Sequence, residues 1–539
     1  MDEKYIKAIH IRGYKKFVDF HIEFKKGLNI LIGENSIGKS TVLEAINIVL
    51  NQYYFGGLNE EDSQQLNKEN IYNFFKKNSP SIQDLPSIEI EIELSLNDDI
   101  KNQSFYGSNY DLLVGKNEKY GIKFKFSYDE VYDQEFYSID FSNEENHVIP
   151  LEYYHAVWTT FSGIPYKRIM NPLKTILIDS SINKNDVYGN YARNLYKSST
   201  SEENQRKLSY DFSKSIRKTA HENEKLLDIG KNRSFAVDEK KSKLSNLIEI
   251  QENEISLRNM GKGEENILKT SLSLQEKTNL DLVMLEEPEN HLSYNNTRKQ
   301  INKIQEKEKN VCQIIATTHE SMILNKLNLV NAIWIKENNG QSLEKLPKDD
   351  VKFFAKSDNF DILRYILGNK IILVEGASEF ILLPAIINSS LNINLDKEKI
   401  SIISMRGIFY THFKSLASIV NKKTLILTDN DSKQDRIDSK KDLSEEDFMI
   451  SMPECVDEFT FEAAIYYHNE KLCEEIIQEI TKRKLSKTAY NQHKDLPIPL
   501  AAMLARKTEF ALKLAEKIEG GSNFEIPQYI EEGVKWLVQ

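Results

Sequence analysis

The sequence is poor in cysteine, has no long apolar run and carries no excess of positive charge. Its three cysteines, Cys312, Cys455 and Cys473, are scattered without C-x-x-C spacing, so neither a zinc site nor a disulfide frame is expected. No apolar stretch approaches the roughly 20 residues that cross a bilayer. The opening MDEKYIKAIHIRGY is charged where a secretion signal is apolar, and the expected location is the cytoplasm. No repeat of fixed period is visible. Acids outnumber bases, 82 Asp and Glu against 71 Lys and Arg, for a formal charge of -11. A protein that coats nucleic acid indiscriminately needs the opposite balance. Any nucleic-acid surface must then be a local basic patch or be built by association of copies. Residues 231–243 and 482–494 are lysine-rich candidates, although such stretches more often simply face solvent.

What is present describes a globular chain. With 539 residues, 40% hydrophobic and 28% charged, it is long enough for about two to four domains. Residues 5–11, 18–24 and 28–32 read as strands. A glycine-bearing loop follows, then a helix over 40–50 with Val42, Leu43, Ala45, Ile46 and Val49 at helical spacing. The alternation in SIEIEIELSL, residues 87–96, predicts a half-exposed strand. Residues 200–254 turn polar, helical and nearly free of glycine, as a helical insert would. Short strands and helices alternate again over 280–335, a polar linker is expected over 336–358, and a second strand-helix series starts at 370 and ends in a helical tail.

The loop is Gly33-Glu34-Asn35-Ser36-Ile37-Gly38-Lys39-Ser40, which fits G-x(4)-G-K-[ST] without mismatch. Its glycines let backbone N–H groups close on phosphates, Lys39 neutralises their charge and Ser40 ligates Mg²⁺. Far downstream, the apolar run Asp281 to Leu285 ends in Glu286-Glu287-Pro288-Glu289. This is the form of a Walker B element, with Glu286 in the Mg²⁺ shell and Glu287 on the attacking water. The strand Ile314 to Thr318 ends in His319, placed to sense a γ-phosphate. Between these, Gly261-Lys262-Gly263-Glu264 opens a helix whose N–H groups suit a γ-phosphate held by another subunit.

In order, Ile11-x-Gly13-Tyr14-Lys15-x-Phe17, the phosphate loop, G-x-G-E, E-E-P-E-x-H-L and T-T-H resemble the AAA-like ATPases of the OLD, RecF and SMC group. The loop and Glu286 lie about 250 residues apart, too close for a long SMC-type coiled coil at ~1.5 Å of helical rise per residue. That spacing resembles OLD proteins. The resemblance implies ATP at a head-to-head dimer interface, with the insert helping to dimerise.

A second constellation lies in the last third. Ile371 to Val374 delivers Glu375, with Gly376 to turn the chain and Glu379 one turn on. Leu425 to Thr428 delivers Asp429-Asn430-Asp431. Both strand ends can converge at one edge of an α/β sheet, and carboxylates gathered there need Mg²⁺ or Mn²⁺ to stay ionised together. Two such ions can cut a phosphodiester. The pair resembles a Toprim domain, and a Toprim domain behind an OLD-like ATPase defines OLD nucleases. Two positions follow from the resemblance alone. Glu462 in the T-x-E-like Thr460-Phe461-Glu462 is implied as a further metal ligand, against a plain helix start capped by Thr460. Lys507 is implied as the catalytic lysine, with Arg506 and Lys513 as neighbours that compete for the role.

The expected fold class is α/β: an ABC-type, SMC/RecF-like ATPase domain with a helical insert, then a Toprim α/β domain and a helical C-terminal tail. The boundaries are 1–165 and 251–345 for the two ATPase parts, 166–250 for the insert and 346–539 for the Toprim domain with its tail. The function implied is an ATP-regulated, divalent-metal-dependent DNA endonuclease or nickase in anti-phage defence, using ATP and Mg²⁺ or Mn²⁺. The implied partners are DNA, further copies of the chain, and either a helicase-like protein, as in Gabija, or a reverse transcriptase with its nucleic acid, as in retrons. The competing reading is a RecF-like ATP-dependent DNA clamp that does not cut.

Overall fold

The structure is a computed structural model describing residues 4–52, 65–77, 79–115, 117–141, 147–179, 187–223, 228–230, 233–234, 244–310, 313–356, 362–405, 410–481 and 496–539. The basic stretch 482–494, nearly all of 231–243, and Cys312 lie outside these residues. The chain divides into two compact units, Met1–Leu327 with Asn331–Leu343, and Asn328–Val330 with Glu344–Gln539.

Among the described residues the first unit holds two large sheets and two small two-stranded ones. One has the order Gly340–Ser342, Ala332–Ile335, Gly27–Ile32, Gln313–Thr317, Leu282–Glu286, Thr175–Asp179. All neighbours in it run parallel except the first pair. Its central strands are almost continuously apolar because helices cover both faces of a parallel sheet. Ile30, Leu31, Ile32, Val283, Met284, Ile314 and Ile315 are all fully buried. The other sheet is antiparallel, in the order Phe17–Glu23, Tyr5–Tyr14, Ile88–Ser95, Lys119–Tyr128, with Tyr106–Gly107 and Tyr154–Thr160 also on the last of these. Helix Lys39–Asn51 packs Val42, Leu43, Ala45, Ile46 and Val49 into one core with Ile9, Ile11, Ile90 and Ile92 of the antiparallel sheet and Leu282, Met284 and Ile315 of the parallel one.

Three expectations need correcting here. The strand over 87–96 forms, as Ile88–Ser95, but its polar face is covered. Glu91 is fully buried, and its carboxylate accepts backbone N–H bonds from Asp111, Leu112 and Leu113 at 2.6–3.1 Å. The stretch 166–250 is not purely an insert, because Thr175–Asp179 is a strand of the parallel sheet beside Leu282–Glu286. Helices Val187–Ser199 and Glu202–Glu222 follow it. The expected linker 336–358 instead supplies the edge strand Gly340–Ser342 and the helix Lys348–Lys356, whose Val351 and Phe354 are buried. Its polar composition concealed an amphipathic helix.

The second unit is a parallel four-stranded sheet in the order Ile400–Ser404, Lys370–Val374, Lys423–Leu427, Phe448–Ser451. Helices Ala377–Ala385, Phe461–His468, Glu470–Thr481, Ile498–Ala505, Lys507–Glu519 and Gln528–Val538 bury Leu382, Ala464, Ile476, Leu500, Leu514 and Val534 in its own core. No described helix is long and apolar enough to cross a membrane.

Candidate functional site

The phosphate loop leaves the central strand Gly27–Ile32 and enters helix Lys39–Asn51, with Gly38 as N-cap at φ 115°. Only glycine adopts that angle without strain, and a Cβ there would overlap the Phe17 ring. At Gly33 a Cβ would lie 2.7 Å from Ile37. The crown of the loop, Glu34, Asn35 and Ser36, is exposed. Lys16 Nζ braces it with a 2.8 Å bond to the Ser36 carbonyl. Lys39 curls back and donates to the carbonyls of Gly33 and Glu34, each at 2.9 Å. Burial lowers its pKa to about 8, against the pull of Glu287 and Glu289. The first turn of the helix carries no acid, so its positive end is open to an anion.

Beside the loop, strand Leu282–Glu286 delivers the paired acids. Glu286 accepts a hydrogen bond from the Ser40 hydroxyl. Burial raises its pKa to about 7, with the carboxylates of Asp179, Glu44 and Glu287 pressing the same way. Glu287 sits at φ 42°. Its carboxylate meets His319 Nε2 at 2.8 Å and Asn290 Nδ2 at 2.6 Å. His319 Nδ1 lies 3.4 Å from Lys39 Nζ. Burial and the Lys39 ammonium keep this histidine below its ordinary pKa. As a neutral ring it accepts from Lys39 at Nδ1 and donates from Nε2 to Glu287. Glu289 fixes the backbone of that turn, accepting from Thr318 Oγ1 at 2.7 Å and His319 N at 2.9 Å.

Gly261 is the N-cap of helix Lys262–Ser273 and has open space around it. Gly263 is tightly enclosed, since a Cβ would lie 2.8 Å from the His291 carbonyl. Asn266 Nδ2 donates to the Pro288 carbonyl at 3.0 Å. The helix is therefore docked on the turn that follows Glu287.

In the second unit the register pairs Val374 with Leu427, which makes the next residues, Glu375 and Thr428, neighbours at the sheet's carboxyl edge. Thr428 Oγ1 donates to Glu375, and Asp429 N does so at 3.2 Å. Asp429 accepts from Phe461 N at 2.8 Å. Glu379, on the first turn of Ala377–Ala385, folds over Gly376, where a Cβ would sit 3.1 Å from its carboxylate. Glu462 is on the first turn of Phe461–His468, whose Thr460 cap accepts from Ala463 N. The cap and the inward acid are both present. Burial lifts Asp429 to about 8, with the charges of Glu375, Glu379 and Glu462 adding to it. Burial likewise lifts Glu379 to about 7, with Glu462 and Glu375 adding.

Lys507 Nζ reaches Glu462 Oε2 at 2.8 Å. Burial opposes its charge, but Glu462, Asp429 and Glu379 hold its pKa above the ordinary value. Arg506 pairs instead with Glu509, and Lys513 with Glu516, so of the three cations only Lys507 joins the acids. Asp431 does not join them. It is exposed and pairs with Arg436.

A family model described as the AAA ATPase domain matches residues 5–324, more than half of the chain. The chain belongs to that family. A second model, the overcoming lysogenization defect protein-like Toprim domain, matches residues 366–431, and the two in this order make the chain an OLD-family protein. Endonuclease GajA of Bacillus cereus (strain HuB5-5) is 23% identical over 82% of this chain and 78% of its own length. Among solved structures, the C-terminal region of the Xanthomonas campestris pv. campestris OLD protein is 24% identical, covering 32% of this chain and 92% of that one at a TM-score of 0.26. The recombination mediator RecF in its ATP form is 15% identical, covering 64% and 100% at a TM-score of 0.32.

The two domains of this OLD-family chain are of kinds that use ATP and a divalent metal. Its second site fits such an ion by chemistry: the donors are carboxylate oxygens, which hard divalent cations take, and burial, with neighbouring carboxylates adding to it, raises the pKa of Asp429 and Glu379, a cost that a cation relieves. Among the described residues, however, no three His, Cys, Asp or Glu side chains are drawn up around one point. Four of the five acids are turned to internal partners: Glu375 to Thr428, Asp429 to the Phe461 amide, Glu462 to Lys507 and Asp431 to Arg436. Four residues with a place at these sites escaped the sequence reading. Asp179 pairs in register with Glu286, and Glu289 holds His319. Thr428 and Arg436 brace the tips bearing Glu375 and Asp431. Asp179 left a signal only in the short apolar run TILI before it; a lone Arg436 on a polar helix left none.

Proposed function

We propose that the chain is an ATP-regulated, divalent-metal-dependent endonuclease or nickase that acts on DNA in defence against phage. The observation that carries this reading is the gathering of Glu375, Glu379, Asp429 and Glu462 with Lys507 at one sheet edge. Burying Glu379 and Glu462 beside the half-buried Glu375 and Asp429 is costly, and a divalent ion that supports phosphodiester cleavage is what such a set is suited to hold. The four acids would hold the metal, which when bound activates water and steadies charge on the phosphodiester. Lys507, held by Glu462, stands ready to meet the charge that develops on the cleaved phosphate. The word endonuclease in the name of GajA agrees with this assignment.

In the first unit, Gly33 to Ser40 would cradle the phosphates of ATP, with Lys39 exchanging two carbonyls for phosphate oxygens. Ser40 and Glu286 would hold Mg²⁺. Glu287 would orient the attacking water, with His319 beside it. The helix start at exposed Gly261, with Gly263 enclosed behind it, would face the nucleotide of a second copy, which makes the working unit a homodimer or larger, with residues 187–222 in the dimerising insert and its site of action in the cytoplasm.

The competing reading is a RecF-like clamp that binds DNA without cutting it. A pure binder has no use for buried acids, which repel DNA. Incubating the protein with supercoiled plasmid and Mn²⁺ or Mg²⁺, with and without ATP, separates the two. Nicked or linear product that disappears in Asp429→Ala supports the nuclease; intact plasmid under every nucleotide condition leaves the clamp.

A further inference from the structure

The two strand tips that carry Glu375 and Asp429 are joined by a side chain that is not an acid. The register of Lys370–Val374 against Lys423–Leu427 sets Thr428 beside Glu375 at the carboxyl edge. The flanking strands fix both backbones there. Thr428 N donates to the Ser451 carbonyl at 3.2 Å, and the Val374 carbonyl accepts from Met405 N at 2.7 Å. Thr428 is 3% exposed, and a buried hydroxyl needs a partner.

Glu375 is that partner, through one of its two oxygens. Oε1 accepts from Thr428 Oγ1, and from Asp429 N at 3.2 Å. Among the described residues Oε2 takes no hydrogen bond, and the side chain keeps 36% of its surface open. Arg436 Nη2 donates to the same Thr428 oxygen at 3.3 Å. A guanidinium can only donate, and a hydroxyl has a single hydrogen, so that hydrogen is directed to Glu375. The carboxylate is thus gripped at one corner by a hydroxyl and an amide, while its other corner stays open. A glutamate that turns freely loses rotamer freedom when it takes an ion; one already gripped has lost it on folding.

We propose that Thr428 is a positioning residue of the metal centre, whose hydroxyl fixes the Glu375 carboxylate in the orientation that a divalent cation takes. The inference rests on the reading above that Glu375 holds the ion. Carboxylates that ligate metals are themselves hydrogen-bonded, and loss of such a partner lowers affinity about 10- to 100-fold. Thr428 acts through Glu375 and touches neither ion nor substrate. Its role does not depend on how the ion is shared among the remaining acids.

The test is Mn²⁺ binding by calorimetry on the full chain without nucleotide, with Glu375→Gln as the reference. Thr428→Val keeps the shape of the side chain and removes the hydroxyl. It should weaken Mn²⁺ binding about 10- to 100-fold and raise to match the Mn²⁺ needed for half-maximal plasmid nicking. Thr428→Ser keeps the hydroxyl and should restore most of the affinity. A packing role would reverse that order, since serine leaves the larger gap. If Glu375→Gln loses the ion but Thr428→Val binds it as the unsubstituted chain does, the inference is overturned and the nuclease reading stands. If Thr428→Ser is as weak as Thr428→Val, the hydroxyl is not what matters, and the inference is again overturned. If Glu375→Gln binds Mn²⁺ undiminished, or the unsubstituted chain binds none, the metal assignment falls and the inference with it. Should Thr428→Val not fold, Thr428→Ala is read in its place by the same outcomes.

Discussion

Burial holds the Asp429 carboxyl at about 8, and the neighbouring charges of Glu375, Glu379 and Glu462 press the same way. Unfolded, the same group ionises near 4. Between those values the folded, metal-free chain binds more protons than the unfolded one, so its stability falls as pH rises through the window. Asp429→Asn removes this contribution. In EDTA at pH 8 the variant should melt above the unsubstituted chain, by roughly 2–4 °C for each kcal/mol of relief, and the gap should close as pH is lowered toward 4. A gap that does not change with pH would show that Asp429 is not the titrating group. At the other site Lys39→Ala removes an ammonium poised between two carbonyls. Affinity for an ATP analogue should fall about 10- to 100-fold, the scale of a charge-assisted hydrogen bond, measured by fluorescence titration. The residues that sequence motifs assign, Lys39, Glu287, His319, Glu375 and Asp429, were legible because each ends a buried strand or opens a helix at a fixed spacing. Arg436 and Glu289 were not, because their roles arise from partners brought together by the fold.

Helix Lys262–Ser273 shows what an element adds beyond its residues. It rests on the turn after Glu287 through the close approach of Gly263 to His291 and the bond from Asn266 to Pro288. Gly263→Ala should push it off that turn. We expect a lower Tm and ATP turnover reduced about tenfold, whereas Gly261→Ala, at φ -62° with no neighbour within 4 Å, should leave Tm unchanged. Equal melting of the two variants would contradict the docking. Legibility at this scale followed periodicity. The strands before the acids are also only five residues each, but they are strongly apolar and run straight into acidic tips, and the helix after the phosphate loop is long and strongly patterned. Thr175–Asp179 and Ile400–Ser404 are five-residue runs whose pairing partners lie far along the chain or in a register that composition does not encode. The first was lost inside an expected insert, and with it Asp179 beside Glu286.

Among the described residues the two large cores share no residue, one from Ile6 to Ile335 around the phosphate loop and one from Ile372 to Leu537 around the acids. Each candidate constellation sits at the carboxyl edge of its own parallel sheet. Damage to one chemistry should then leave the other site formed. Glu287→Gln keeps the shape of the side chain and its contact with Asn290 but removes the charge facing His319. ATP turnover should fall at least ~100-fold with affinity for ATP retained, so bound ATP accumulates, while Mn²⁺ affinity at the second site stays as it was. Asp429→Ala should do the reverse, ending plasmid cleavage while ATP affinity is kept. Nucleotide titration and Mn²⁺ calorimetry on both variants complete the comparison. Loss of ATP affinity in Asp429→Ala would show that the two sites are formed together and not each by its own sheet.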